Sequence, residues 1–186
     1  MIDRLTIRAS AIETLKAYDT DAGESVYSPR DWPAQSGQYP LIVVRTPSEK
    51  KAASNPRYGP PEFDSAIVLT AVCLVESVTE ADAEDQLEQL SVQIERALLT
   101  NAQFLHTNEI QQVTAVETGM KVTADGERHI GEAVVVFHLE VHQLYEPEID
   151  AAGTEIGPKL LLVDTVITDA ATEKTLAEVQ FELPGE

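Results

Sequence analysis

The clearest periodic signal in the chain is a run of apolar residues, Ala83, Leu87, Leu90, Ile94 and Leu98, spaced by four, three, four and four. Those steps lay one apolar stripe along a helix and predict an amphipathic element over about 79–99. Two capping registers precede it, Ser77 with Glu80 and Thr79 with Asp82. A second helix is predicted over residues 3–18, with Asp3 as cap and Leu5, Ala9, Ile12 and Leu15 as its stripe. Period-two alternation marks a long strand from about Gly131 to Tyr145. There Ala133, Val135, Phe137, Leu139 and Val141 are predicted to face the core. Ser65–Glu76 is apolar on both faces and reads as a central strand. Leu41–Val44 reads as a short buried strand and Ile110–Thr118 as another. Asp125-Gly126 supplies a hairpin turn.

Between these elements the pattern breaks. Residues 19–40 carry Pro29, Pro33 and Pro40 and read as a long loop, which calls for a functional role or a partner that orders it. Trp32 lies there, either pinning the loop to its own domain or serving as an interface anchor. Arg45–Phe63 reads as a second irregular segment, with Pro47, Pro56, Pro60 and Pro61. Past Tyr145 the composition shifts again. The expected organisation is an α/β domain over 1–146, a linker over 147–159 and a C-terminal β-hairpin arm over 160–186, its strands at Leu160–Thr168 and Thr175–Leu183. A two-stranded hairpin is marginal alone, so the arm is expected to pair with the main sheet or with another subunit. The fold class expected is α/β of the α+β kind: a mixed or mainly antiparallel sheet, two helices packed on it, and the hairpin extension.

Charge changes this picture. The 186 residues hold 32 acids and 13 Lys and Arg, a formal net charge of −19. Such a balance disfavours a broad phosphate-binding face, which needs clustered bases. Acids concentrate on the first turns of the 79–99 helix, at Glu80, Asp82, Glu84, Asp85 and Glu88. The macrodipole accounts for some of them but not for all. Ten further acids against two bases follow from Glu146 onward. Against that background Arg45, Lys50, Lys51 and Arg57 form a local inversion. It reads either as a solvated loop or as a basic arm for an acidic neighbour, such as a second copy.

Candidate chemistry is sparse. Met1–Arg4 shows no basic segment before an apolar run, so no signal peptide is expected. The apolar stretch Ala66–Val75 is too short for a membrane span. Cys73 inside it excludes an internal disulfide framework, suits a reducing cytosol, and reads as a small core residue. His138, Glu140 and His142 share one strand face, but the two histidines stand roughly 13 Å apart at strand spacing. One ion with bonds of about 2.0–2.1 Å cannot span that. His106 is placed in a loop and His129 beside a turn, neither with a nucleophile. No phosphate-cradling loop, nucleophile elbow or metal-binding helix motif occurs. No enzyme activity, cofactor or metal is expected.

Three stretches then carry a resemblance: Tyr39–Arg45, the strand Ser65–Glu76 leading into the helix Thr79–Leu99, and Gly131–Val141. In this order the chain resembles the tail terminator proteins of long-tailed bacteriophages, over about residues 1–146. The resemblance implies a homo-oligomeric, hexameric ring in the virion, made in the bacterial host cytoplasm. That ring caps the tail tube, ends its polymerisation and joins it to the head. The implied partners are further copies of the chain, the tail tube protein and a head–tail connector protein. DNA would pass without specific binding, and no membrane is involved. The segment after Glu146 departs from the smaller family members. A head–tail connector or another neck or baseplate subunit is the alternative, ahead of a small-ligand or enzymatic module.

Overall fold

The computed structural model describes residues 3–29, 39–54, 60–146, 163–169 and 174–181, the last two stretches by their backbone. It divides into two units, one ending at Leu144 and the other beginning at Tyr145. Among the described residues of the first unit, three helices accompany a five-stranded sheet of order β1-β2-β3-β5-β4. The fold is α+β with a mixed sheet. β1 (Val26–Tyr27) lies parallel to β2 (Leu41–Ala53), and the other neighbours are antiparallel.

The centre of the sheet is β3 (Glu62–Ser77), hydrogen-bonded to β2 on one side and to β5 (Arg128–Leu144) on the other. Its double apolar character follows from that position. Ile67, Leu69, Ala71, Cys73 and Val75 join the main core, while Val72 and Leu74 join a smaller cluster on the opposite face with Leu41 and Val43. On β5 the predicted inward set Ala133, Val135, Phe137, Leu139 and Val141 is buried throughout. β4 (Ile110–Asp125) returns into β5 across a two-residue turn in which Gly126 has φ +63°, a conformation glycine adopts at no steric cost.

Helix α2 (Glu80–Leu99) uses the Thr79 register. The Thr79 hydroxyl accepts from the Asp82 amide at 3.1 Å and donates to the Asp82 carboxylate at 2.6 Å. Its five predicted core positions are all buried. Thr79→Ala removes this cap and is expected to cost about 1 kcal/mol, read as a lowered thermal midpoint. Helix α1 (Arg4–Ala17) starts at Asp3, which accepts from the Thr6 amide at 2.8 Å. That bond, with a second from the Thr6 hydroxyl, holds the Asp3 carboxyl below its ordinary pKa.

Several expectations are corrected. The buried stripe of α1 is Ile7, Ala11, Thr14 and Leu15, whereas Leu5 and Ala9 are exposed. Apolar residues surround most of this helix, so spacing alone left its phase open. A third helix, α3 (Ala102–Thr107), occupies the stretch expected as a loop and contains His106. Asn101 caps it by accepting from the Phe104 amide at 2.9 Å, and Phe104 is buried. The long loop 19–40 contains β1, whose two residues are too few to show a period. The irregular segment 45–63 is for the most part strand: β2 runs on to Ala53 and β3 begins at Glu62. Pro47 is tolerated because this half of β2 is a sheet edge with a bulge between Arg45 and Ser48.

In the second unit, β6 (Val163–Asp169) pairs antiparallel with β7 (Lys174–Phe181) as a separate two-stranded sheet. The linker expected over 147–159 lies outside the described residues.

Candidate functional site

The acids of α2 stand where the core stripe does not. Because Ala83, Leu87 and Leu90 turn inward, Glu80, Asp82, Glu84, Asp85 and Glu88 are all left exposed. Asp82 serves the cap and Glu80 the first turn. Glu84, Asp85 and Glu88 have no such duty, and among the described residues none of the five is ion-paired. Farther along, a shallow open groove is lined by Asp85, Glu88, Gln89, Val92, Gln93 and Arg96. Its glutamines are held by the α1–β1 connection: Gln89 donates to the Asp21 carboxylate and Gln93 accepts from the Asp21 amide, both at 2.8 Å. Apolar Val92, 45% exposed, lies between them.

The bases are arranged differently from expectation. Arg45, Lys50 and Lys51 lie on a paired strand, and strand alternation sends Lys50 and Lys51 to opposite faces. Lys50 is in register with Ala66 and, one strand farther, Glu140, on the face away from the helices. Arg45 shares that face through Thr70 and Val136. Lys51 lies in the row of Ser65 and Val141 on the helix side, and pairs with Glu49 at 3.3 Å. Glu49 also accepts from Gln143, whose own carbonyl oxygen accepts from the buried Ser65 hydroxyl at 3.0 Å. The structure therefore does not gather these bases into one patch. Arg57 and Trp32 lie outside the described residues.

On the helix-free face, His142 Nδ1 sits 3.0 Å from the Asp64 carboxylate and His138 Nε2 3.8 Å from that of Glu117. Each histidine thus has its own acid on a neighbouring strand. Among the described residues no group of three or more His, Cys, Asp or Glu is arranged to hold a metal ion. Nor is any helix there long and apolar enough to cross a membrane. Burial pushes the Cys73 thiol up to about 12. The native protein is therefore expected to resist thiol-specific reagents at pH 8, becoming labelled only as it unfolds; rapid labelling of folded protein would refute this placement.

Two features escaped the sequence pattern. Arg128 forms an ion pair with Glu76 across the β3–β5 end of the sheet. Its hydrogen bond to that carboxylate raises the guanidinium pKa. The other is the outer edge of β4, which runs on past the strand end predicted at Thr118 to Asp125 and carries exposed Glu117, Met120 and Lys121.

No protein-family model matches the chain, and neither does any curated protein. Among solved structures, a chain from the virion of a native gene transfer agent (GTA) particle is similar at 9% sequence identity and a TM-score of 0.32. The match covers 72% of this chain and 93% of that one. So loose a likeness carries no argument about role.

Proposed function

We propose that this chain is a structural subunit of a phage-type virion, and specifically a tail terminator. In this reading, copies join head to tail in a hexameric ring that caps the tail tube, ends its growth and meets a head–tail connector protein. The sequence resemblance over residues 1–146 is what supports the family reading. The observation that supports the assembly mode is the separation of charge along β3. Arg45 and Lys50 pair with Thr70 and Ala66, whereas the acidic face of α2 starts just past the other end of the strand, at Ser77. At strand spacing Thr70 and Ala66 lie roughly 24 and 37 Å from Ser77.

A subunit with an exposed acidic helix face at one end, and with Arg45 and Lys50 interspersed with exposed Asp64 and Glu140 toward the other, can make heterologous contacts, which close into rings when the rotation permits. Acids left over would face the lumen and repel the phosphates of passing DNA. Reversing charge at Lys50, Lys51 and Arg57 together is expected to weaken ring formation on tail tubes by at least about tenfold. Lys50→Glu alone should weaken it more than Lys51→Glu, since Lys51 is already paired with Glu49. Unchanged assembly of the triple variant at elevated salt would refute the electrostatic contact.

A further inference from the structure

The outer edge of β4 carries a row of backbone groups that no described residue pairs. Natural edges of this length are blunted by bulges, proline or a short run. The first half of β4 has irregularities between Ile110 and Gln112 and between Val113 and Ala115; from Val116 to Asp125 the register against β5 is unbroken. This regular half is exposed along nearly its whole length, with Met120 47% exposed.

Its sequence is self-complementary. Laid antiparallel on a second copy of itself about Gly119, the segment Val116–Val122 places Glu117 opposite Lys121 and, by symmetry, Lys121 opposite Glu117. Both lie on the helix-free face, in register with Val136 and Glu132 of β5. On the helix side, Val116 meets Val122 and Thr118 meets Met120. Opposite charges and apolar pairs directly across a ladder are the favourable combinations. Gly119 fits the same axis. A Cβ there would touch nothing within 4 Å, and its φ is not positive, so neither crowding nor conformation within one copy calls for glycine. A close approach by another backbone does.

We infer that β4 is a homodimerisation edge: two copies pair antiparallel through Val116–Val122, with the two-fold axis at Gly119, into one ten-stranded sheet with all helices on one side. Lys121, already 3.1 Å from Glu132, then lies between that acid and Glu117 of the second copy. An isologous contact of this kind closes on two copies. It does not rest on the ring reading, whose contacts lie on α2 and β2.

The test uses the full chain in solution. Sedimentation velocity is expected to show a concentration-dependent dimer; a monomer at every concentration overturns the inference. Gly119→Cys should form an interchain disulfide under mild oxidation, because the two positions face each other, and Cys73 is buried and gives no background. Thr123→Cys should not, its two copies standing roughly 27 Å apart along the pair. Equal cross-linking of both variants overturns the register. Glu117→Lys and Lys121→Glu should each weaken dimerisation by roughly tenfold, since each sets two like-charge pairs. Combining them should restore it, and failure of that rescue also overturns the proposal. Every readout is taken without tail tubes, so these outcomes are separate from the fate of the ring reading.

Discussion

Phe137→Ala is expected to lower the unfolding free energy by about 3–5 kcal/mol, the range for emptying a buried phenylalanine site. Phe137 is 1% exposed at the middle of β5, in register with Leu69 of β3 and Val116 of β4. It is among the largest fully buried side chains, and strands on both sides limit how far the sheet can close over the space it leaves. Urea unfolding followed by far-UV circular dichroism measures the loss. The slope with denaturant should be unchanged while the midpoint falls. A change below about 1 kcal/mol would mean that this side chain is not in the core.

Gly131→Ala should destabilise by about 1–3 kcal/mol for the opposite reason. An added Cβ would lie 2.8 Å from Leu87 Cδ1 on α2 and 2.8 Å from Val75 Cγ2 on β3. Leu87 is 0% and Val75 1% exposed, so neither can swing into solvent. Relief has to come from moving α2 off the sheet. Leu87 sits between Asp85 and Glu88, so the same displacement shifts the acidic face assigned to assembly. In a double-mutant cycle, Leu87→Ala should make room for the new methyl, and the combined loss should be smaller than the sum of the two. Strict additivity would show that Gly131 and Leu87 are not in contact.

Much of the fold was legible because burial imposes a period. The α2 stripe and the inward residues of β5 are buried at the positions their spacing predicts, and Ser65–Glu76 lies within a central strand. Elements without a period were not. β1 has only two residues, α3 depends on a single buried Phe104, and the distal half of β2 combines Pro47 with consecutive lysines that read as loop. Such a stretch becomes a strand through its neighbour β3, not through its own side chains. The acid face was legible as the complement of a core stripe on one helix. The basic group was not, because Lys50 and Lys51 are adjacent in sequence and a strand turns adjacent residues to opposite faces. The edge of β4 was hidden for a related reason: in its outer half only Val116 and Val122 are partly buried, too few to set an alternation.

The central claim is that the chain acts by assembling at a tail-tube end. The most direct measurement is electron microscopy of the full chain incubated with long-tailed phage tail tubes. The account predicts a ring of this protein at one end of each tube, tubes that grow no further, and loss of the ring when Lys50, Lys51 and Arg57 are reversed in charge. Tubes that keep growing with bare ends in the presence of excess protein would contradict it.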